Sequence, residues 1–600
     1  MMLFPEAVPF PDELAEISTA SEDFKANILE KKRYVDKTMA LLPLLRRTHE
    51  STFLLRPRRF GKTLMLSMIR YFVEDTRDEA LNAENRHLFD GLNIMSAGPF
   101  YTAQMTRYPV IRLSLQNVKG HGTNAHTAFL DANQALREEI QNEYERHIYV
   151  LESDALTEKN KKDFRRVWLG EDPDTGKEAT RTDYKASLQR LAYYLRLVHG
   201  QKTVLLLDEY DIPLEHAQRC GYNREMNDMI GSLLQNVLRT NAENLQFAVI
   251  VGCLHVAASS IEPCLSHSEF NSVMSAEGGS WFGFTEEEVQ GLLSENGLSD
   301  HAAKLKAFYG GYRFGQTKIY NPWSVLRHIE ELRCHPQAIP ETYWMATSGN
   351  HILRKLADMS SETVKEQIGI LLHGGTIRFR WREQISFSEA PDEEELFNIM
   401  LSTGYLTCVS FDGHCIEAGI PNQEVKIGFQ REIQRWFDAF SRSFDAAPLY
   451  HEFLSSQEDR PHRIRRILED ALHASIDCYD SEEAYVHAVP CGLLSRRPDF
   501  AVHGHYIPGQ GHFDIECLGR RACRNLAIIL QVRIVKAARF LHSSAVLAAS
   551  QSRIRKSALA ALSESRETVY TYGIAFFEKQ CDVVPGPVCT EKELKEITSP

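Results

Sequence analysis

The stretch RPRRFGKTL, residues 56–64, decides the fold predicted for this chain. It follows the short apolar run 52–55 and opens a longer run, 64–72, whose composition is typical of a helix. A strand, a tight turn with Gly-Lys-Thr and a helix make up a phosphate-binding loop, because backbone N–H groups of the turn and of the helix N-terminus point at an anion. In such a loop Lys62 reaches the outer phosphates and the Thr63 hydroxyl binds Mg²⁺.

One position of the loop departs from the usual pattern. The pattern G-x-x-x-x-G-K-[ST] expects a glycine where this chain has Arg56. A bare Gly-Lys-Thr occurs by chance in many proteins, so the prediction rests on the strand and the helix that flank it. We also expect at least one loop arginine to contact phosphate or an acid. The arginines are Arg56, Arg58 and Arg59, and the acids considered are Asp36 and Asp211.

A second apolar run, VLLLDE at residues 204–209, ends in two acids. A buried parallel strand reads as a continuous hydrophobic run, and ligands of open α/β sheets bind at the carboxyl ends of such strands. We expect Asp208 to hold Mg²⁺ through water and Glu209 to orient or deprotonate the attacking water. The alternative is a core strand that ends in two solvated acids. The run 247–252 is expected to lead to a polar sensor, for which the candidates are Ser259 and Ser260.

Nine short motifs follow one another along the chain: YVDKT (34–38), RPRRFGKT (56–63), DEYD (208–211), FGFTEEEV (282–289), YGGYRFG (309–315), YNPWS (320–324), WMATSGN (344–350), TGYLT (403–407) and IPNQEV (420–425). In this order they resemble the bacterial AAA-ATPase-like proteins. In that family an arginine commonly stands at the first loop glycine, so the resemblance implies that Arg56 is a family trait. It also implies ATP and Mg²⁺ as ligands, and it makes Arg313 a candidate arginine finger by position.

The predicted site contains three groups of residues. The catalytic group is Lys62, Asp208 and Glu209, and the expected Mg²⁺ ligands are Thr63 and Asp208. The residues expected to contact the nucleotide are Tyr34, Asp36, Arg56, Arg58, Arg59, Phe60, Gly61, Lys62, Thr63 and Leu64.

The first two of three predicted domains cover residues 1–285 and 286–440. The first reads as a P-loop NTPase core of the α/β class, a parallel sheet between helices, with strands at 52–55, 110–115, 204–207 and 247–251, a helix within 123–149, and exposed loops at 159–163 and 170–174. The second reads as a helical lid followed by a winged-helix-like region, with a helix at 393–402, a strand at 405–410 and a helix from about 428. The alternative role for that region is to pack the lid against the next domain.

The third predicted domain, residues 445–590, has the element order of an α/β restriction-endonuclease-like fold. Its helices are expected at 460–475, 481–489 and 544–561, and its strands at 499–502, 526–535 and 573–577. Members of the family that the chain resembles often carry a C-terminal nuclease-like domain of the PD-(D/E)XK superfamily, which agrees with this order.

The nuclease-like site is incomplete in the sequence. The chemistry needs an Asp and a Glu for Mg²⁺ and a Lys beside the scissile phosphate. Asp499 stands where the family has its Asp, but the strand 526–535 carries Gln531 for the Glu and Arg533 for the Lys. An amide binds Mg²⁺ more weakly than a carboxylate, and a guanidinium is never deprotonated. Gln551 resembles the glutamine that the family keeps on the next helix.

A rival alignment uses HFDIECL, residues 512–518. It keeps Glu516 but puts Leu518 at the lysine position, so the site is incomplete in either register. Both alignments therefore predict a degenerate nuclease-like domain that binds nucleic acid, or only acts as a scaffold, without cutting. The position of Mg²⁺ at Asp499 is correspondingly doubtful.

The composition is that of an ordinary globular protein, with 43% hydrophobic and 25% charged residues and a formal charge of −13. That charge argues against a chain that coats nucleic acid along its whole length. The N-terminus lacks the pattern of a signal peptide, and no apolar run is long enough to span a bilayer. The cysteines form no CxxC pair, which makes zinc fingers and disulfide frameworks unfavoured. A reduced, cytoplasmic protein is expected.

Basic residues concentrate near the C-terminus. Between residues 490 and 560 they exceed the acids by eight: Arg496, Arg497, Arg520, Arg521, Arg524, Arg533, Lys536, Arg539, Arg553, Arg555 and Lys556 against Asp499, Asp514 and Glu516. This excess is either a nucleic-acid footprint or a solvated face of a mixed domain. The expected partners are ATP and, through the basic region, DNA or RNA; an oligomer is compatible with the sequence.

Two functions remain open from the sequence. The first is an ATPase whose nucleotide state controls the C-terminal nuclease-like domain on DNA or RNA. The second is a regulatory or scaffold protein in which nucleotide is a switch with negligible turnover. The presence of Glu209 beside Asp208 favours the first, because a protein that only binds nucleotide does not need a general base.

Overall fold

The computed structural model describes residues 21–46, 51–257, 268–347, 362–386, 392–431, 445–473, 491, 493–495, 497, 499–506, 512–520, 523–550, 561, 567–577 and 580–590. The chain forms two units, one of residues 1–352 and 378–427 and the other of residues 353–377 and 428–600. None of the helices within the described ranges is both long enough and apolar enough to cross a membrane. The three predicted domain boundaries stay a prediction.

The first unit contains a five-stranded parallel sheet of order β2-β3-β4-β1-β5. Its strands are β1 (Ser51–Leu55), β2 (Val110–Ser114), β3 (Thr203–Asp208), β4 (Leu245–Gly252) and β5 (Ser268–Asn271). Every residue of β1 and β3 is buried, which is why the sequence shows them as unbroken apolar runs. The α/β prediction and its four strands are confirmed, and β5 is an addition.

Helices flank this sheet. They are Phe24–Leu29, Leu41–Arg46, Lys62–Val73, Glu79–His87, Pro99–Thr102, Ala125–Arg146, Glu158–Leu169, Arg181–Lys185, Ser187–His199, Ile212–Cys220 and Asn223–Leu234. The loop predicted at residues 159–163 is wrong, because these residues lie in the helix Glu158–Leu169. Thr157 caps that helix by accepting from the Asn160 N–H, and Phe164 and Val167 are its two buried residues. Its first half, residues 158–163, is entirely polar, which hid the start of the helix in the sequence.

The chain after β5 builds a small core of its own. The helices Glu286–Glu295, Ala302–Tyr309 and Pro322–Cys334 contribute to a cluster that includes Phe284, Val289, Leu305, Tyr320 and Ile329. A hairpin, β6 (Tyr312–Phe314) and β7 (Thr317–Ile319), and the helix Tyr343–Thr347 complete this segment. Thr285 caps the first of these helices, since its side chain accepts from the Glu288 N–H.

A three-stranded sheet of order β8-β10-β9 follows in the chain. Its strands are β8 (Ile377–Arg380), β9 (Thr407–Phe411) and β10 (Cys415–Gly419), and the helix Glu393–Thr403 lies between β8 and β9 in sequence. The helix predicted from about residue 428 begins earlier, at residue 423.

The second unit contains a sheet of order β11-β12-β13-β14-β15, with β16 paired to β14. The strands are β11 (Phe500–Tyr506), β12 (His512–Gly519), β13 (Leu526–Ile534), β14 (Thr568–Phe577), β15 (Gln580–Pro585) and β16 (Cys589–Thr590). Only β13 and β14 are parallel. The helices of this unit include Glu362–Leu372, Ala447–Leu454, Arg460–His473 and Leu541–Ser550. The helix predicted at 481–489 lies outside the described residues.

Candidate functional site

The sheet order places the ends of β1, β3 and β4 side by side. Strand β4 pairs with β1 on one side and with β3 on the other. The loop after β1 therefore lies near the two acids that follow β3. This arrangement explains how residues about 140 positions apart in the sequence meet at one edge of the sheet.

The phosphate loop combines two left-handed backbone positions. Gly61 has φ 90° and begins the helix Lys62–Val73, whereas Arg59 has φ 66°. Glycine adopts such angles without strain, but a residue with a side chain adopts them at a cost of roughly 1–3 kcal/mol. The surroundings of Arg59 therefore have to hold it in place.

Lys62 points into the loop and is only 4% exposed. Its Nζ donates to the carbonyl oxygens of Arg56 and Pro57, both at 3.2 Å, and lies 3.5 Å from Glu209 Oε1. It also lies 3.5 Å from Cys253 Sγ. The loop thus contains a desolvated ammonium group whose present partners are the loop's own carbonyls and one carboxylate, a suitable position for neutralising a phosphate.

Thr63 and Asp208 face each other across the edge of the sheet. The Thr63 hydroxyl donates to Asp208 Oδ2 at 2.8 Å. Asp208 Oδ1 and Glu209 Oε2 are buried and have no hydrogen-bond partner among the described residues. Burial raises the pKa of Asp208 to about 6, and the neighbouring Glu209 charge adds to the shift.

These side chains suit Mg²⁺. The ion usually takes one or two carboxylates, and substrate phosphates complete its coordination. Asp208 Oδ1 is a buried oxygen without a partner in the described part of the chain, and the Thr63 hydroxyl stands beside it. No group of three His, Cys, Asp or Glu side chains in the described ranges could hold a metal unaided. A cation here would share its coordination with a nucleotide.

A cavity of about 410 Å³ opens beside the loop. Of the predicted residues, those that line it are Tyr34, Arg58, Arg59, Phe60, Gly61, Lys62, Thr63, Leu64 and Glu209. The apolar residues of its lining include Met65, Met68, Phe284, Trp323 and Leu326. Asp208 lies on the other side of Thr63, where both residues line a second cavity of about 720 Å³. The lining of the first cavity thus combines charged groups suited to phosphates with apolar side chains suited to a base.

Arg56 does not line this cavity. Its guanidinium is fully buried and donates to Leu55 O and Asn271 O at 2.8 Å, to Asn271 Oδ1 at 2.7 Å and to Gly278 O at 3.2 Å. Burial lowers the pKa of Arg56 to about 9. The arginine at the usual glycine position therefore connects the loop, through hydrogen bonds, to β5 and the residues that follow it.

The other two loop arginines contact acids, as expected, but not the acids considered. Arg58 lies 3.4 Å from Glu215, and Arg59 lies 3.5 Å from Glu22. Asp36 instead accepts from the N–H groups of Thr38 and Asn93. It does not line the cavity.

Asp211 is also occupied elsewhere, since its Oδ2 accepts from the N–H groups of Cys253 and Leu254 at 2.8 and 2.9 Å. It thereby fixes the chain that follows β4. Cys253, which the sequence reasoning missed, is the first residue after β4 and meets Lys62 there. The expected sensors Ser259 and Ser260 lie outside the described residues. Position alone, one residue past a buried strand, could have drawn attention to Cys253.

Arg313 does not face the cavity in the structure. Its guanidinium donates to Val409 O at 2.9 Å and to Gln316 Oε1 at 2.8 Å. In this conformation the Arg313 side chain connects the β6–β7 hairpin to β9.

In the second unit, the structure does not bring Asp499 to Gln531, so the predicted grouping is wrong. Asp499 precedes β11, whose first residue Phe500 pairs with Gly519. Gly519 lies five residues, or roughly 17 Å, along β12 from Asp514, the residue that does pair with Gln531.

The residues that meet across β12 and β13 are Asp514 with Gln531 and His512 with Arg533. The two alignments that the sequence offered, residues 512–518 and 526–535, therefore fall on two neighbouring strands, β12 and β13. Glu516 lies opposite Ile529, away from Arg533. Gln551 lies outside the described residues.

The basic residues of this unit also separate. Arg520 and Arg524 stand at the turn between β12 and β13, whereas Arg533 and Lys536 stand at the far end of β13. A strand of this length extends about 25–30 Å. The described part of the basic excess is thus spread over two ends of the sheet and is not one patch.

Comparisons with known proteins show a match over part of the chain. A family described as predicted AAA-ATPase matches residues 19–262. An uncharacterized protein in the vnfD 5′ region of Azotobacter chroococcum mcd 1 is 27% identical over 316 residues, which cover 52% of this chain and 50% of that protein. The match thus spans about half the length of this relative. An AAA-ATPase-like domain over residues 19–262 indicates nucleotide binding.

Lowering the pH from 7 to 5 is expected to weaken binding of Mg²⁺-nucleotide. The pKa of Asp208 is raised to about 6, so without a bound cation the folded protein favours the protonated carboxyl. The contribution of this group to the free energy of unfolding is therefore lost as the pH rises through 6. A bound cation needs the ionised form, and binding should fall roughly tenfold per pH unit below 6. Titration calorimetry of wild type and Asp208→Asn across this range measures the effect. Protonation of the nucleotide affects both proteins equally, so it cancels in their comparison. An equal dependence of affinity on pH in wild type and Asp208→Asn would therefore contradict the prediction.

Proposed function

We propose that this protein is a Mg²⁺-dependent ATPase whose nucleotide state governs its C-terminal half. The observation that supports this most strongly is the meeting of Lys62, Thr63, Asp208 and Glu209 at the edge of the parallel sheet, next to a cavity whose lining includes apolar side chains. Phosphoryl transfer in P-loop enzymes depends on positioning and electrostatic stabilisation, and these four side chains supply both.

Each residue has a separate task in this proposal. Lys62 exchanges the loop carbonyls for the outer phosphate oxygens, and Thr63 and Asp208 hold Mg²⁺, which neutralises charge that develops on the phosphates. Glu209 leaves its ion pair with Lys62 and orients or deprotonates the attacking water. Tyr34, Met65 and Phe284 offer apolar surface to the base.

The second candidate is a nucleotide switch with negligible turnover. It is favoured by the 3.5 Å contact between Lys62 and Glu209, because a general base held by the loop lysine is unavailable to water. Steady-state phosphate release with Mg²⁺-ATP, with and without DNA, separates the two candidates. Release that depends on Mg²⁺ supports the ATPase, whereas tight binding without release supports the switch. Absence of both would overturn both.

For the second unit we propose a degenerate nuclease-like domain. The predicted order is a helix, two strands, a helix and a strand. The structure has the helix Arg460–His473, the strands β11, β12 and β13, the helix Leu541–Ser550 and β14, which adds β12 to that order. The paired positions now point to Asp514, with Gln531 and Arg533, as the remnant. The domain retains one carboxylate there, which alone holds Mg²⁺ weakly. Binding of DNA or RNA without cleavage is the proposed activity.

Purified wild-type protein is expected to bind nucleic acid in a salt-sensitive manner without nicking supercoiled plasmid in Mg²⁺. Gln531→Glu combined with Arg533→Lys supplies the two missing groups and should give weak nicking. Adding Asp514→Ala to that pair should abolish the nicking, whereas adding Asp499→Ala should not. Mg²⁺-dependent nicking by the wild type that disappears in Asp499→Ala would show a working nuclease in another arrangement.

A further inference from the structure

Each residue of the phosphate loop from 56 to 60 is in contact with a residue that follows β4 in the sequence. The partners are Asn271 and Gly278 for Arg56, Gly404 for Pro57, Trp344 for Arg58, Trp323 for Arg59, and Tyr312, Phe314 and Gly283 for Phe60. The loop lacks the first glycine of the usual pattern, and its shape is held from outside.

Two tryptophans make the contacts at the centre of the loop. The indole Nε1 of Trp344 donates to the Arg58 carbonyl oxygen at 3.0 Å, and the residue is 1% exposed. The Trp323 ring lies 4.4 Å from the Arg59 guanidinium, the residue whose backbone is in the left-handed region. Trp344 thus fixes the carbonyl of Arg58, and Trp323 fixes the strained residue Arg59. The loop is held at two consecutive positions.

A single buried carboxylate joins the segments that bear these tryptophans. Glu424 is fully buried, and its Oε1 accepts from the Trp344 backbone N–H at 2.6 Å. Its Oε2 accepts from the hydroxyl of Ser324, the neighbour of Trp323, at 2.8 Å. Since both oxygens have partners, displacement of Glu424 would release both segments.

We propose that Glu424 is a positioning residue for nucleotide binding, which acts through Trp344 and Ser324 to set the shape of the phosphate loop. The inference rests on the proposed nucleotide site, but the loop geometry that it predicts exists without nucleotide. The same carboxylate thereby makes the segments around residues 321–345 and 420–425 part of the nucleotide site, although Glu424 does not touch the ligand.

Trp344→Phe tests the contact with the loop, because phenylalanine keeps an aromatic ring but loses the five-membered part of the indole, and with it the N–H donor. The Arg58 carbonyl then loses a buried partner, and affinity for Mg²⁺-ATP should fall roughly fivefold to tenfold. Tyr343→Phe is the matched control: it removes one hydroxyl from the preceding residue, whose partners Glu331 and His328 lie outside the cavity lining. Its affinity should stay at the wild-type value.

Glu424→Leu and Glu424→Gln test the joining carboxylate. Leucine removes both acceptors, whereas the amide of glutamine can accept from the Trp344 N–H and donate to the Ser324 oxygen. We therefore expect the leucine variant to bind nucleotide at least tenfold more weakly and the glutamine variant to recover most of the affinity. A merely structural role would lower the melting temperature of the leucine variant without changing the affinity of its folded fraction.

Trypsin provides a readout without nucleotide, because the loop contains cleavable bonds after Arg58 and Arg59. Cleavage there, mapped by mass spectrometry, should be roughly fivefold faster in Trp344→Phe than in the wild type, and unchanged in Tyr343→Phe. Equal cleavage and equal affinity in wild type and Trp344→Phe would overturn the inference, even if Glu424→Leu fails to fold. If the wild type binds no nucleotide, the proposed function fails, while faster cleavage in Trp344→Phe would still support the loop positioning.

Discussion

Replacing Glu209 by glutamine is expected to slow phosphate release by roughly 10²–10⁴-fold, the usual contribution of a general base. The substitution keeps the size of the side chain but removes the carboxylate that accepts a proton from water. Nucleotide binding should be retained, because Lys62, Thr63 and Asp208 are unchanged. Steady-state phosphate release and a separate nucleotide titration measure the two effects independently.

The matched control is Glu225→Gln, which makes the same chemical change at an exposed position of the helix Asn223–Leu234. It should leave both turnover and affinity at wild-type values. If Glu209→Gln turns over normally while Asp208→Ala does not, Glu209 is not the base. If it instead loses nucleotide binding, the 3.5 Å contact with Lys62 contributes to the shape of the loop more than to the chemistry.

The parallel sheet could be predicted because its strands are buried along their whole length. Strands β1 and β3 have no exposed residue, and a strand buried on both faces appears in the sequence as a continuous apolar run. The helix Glu158–Leu169 could not be found in the same way, since its buried side has only Phe164 and Val167 among many charged residues. All of its apolar residues fall in its second half, so the polar residues 158–163 show no helical period of their own.

Local motifs identified the residues that meet at the ends of β1 and β3, whereas the partners of Arg56 and Gln531 were not predictable. Lys62, Thr63 and Asp208 are fixed by their neighbours in sequence. The role of Arg56 depends on Asn271, which strand pairing brings to it. The partner of Gln531 depends on the register between β12 and β13, which no single strand encodes.

One signal in the second unit was nevertheless present in the sequence. In HFDIECLG, residues 512–519, every second residue is buried, which is the period of a half-exposed strand. The alternation places Asp514 and Glu516 on one face and Phe513 and Ile515 on the other. Reading both apolar runs as neighbouring strands would have brought Asp514 and Glu516 beside the strand of Gln531.

The loop contacts also place the nucleotide site close, along the chain, to the second unit. Trp344 and Glu424 lie shortly before Ile352 and Ile427, the residues at which the chain leaves the first unit.

Replacing Lys62 by alanine is expected to weaken Mg²⁺-ATP binding by about 30-fold or more, the result of truncating one partner of a buried charge pair. The wild-type ammonium is already desolvated and needs only to exchange the carbonyls of Arg56 and Pro57 for phosphate oxygens. Alanine leaves the outer phosphates beside Glu209 without a neutralising charge. Titration calorimetry measures the affinity, and Lys318→Ala, at an exposed position of β7, is the control for the loss of one positive charge. Equal affinities in Lys62→Ala and wild type would show that the cavity beside residues 56–64 is not the nucleotide site, whatever the turnover of the protein.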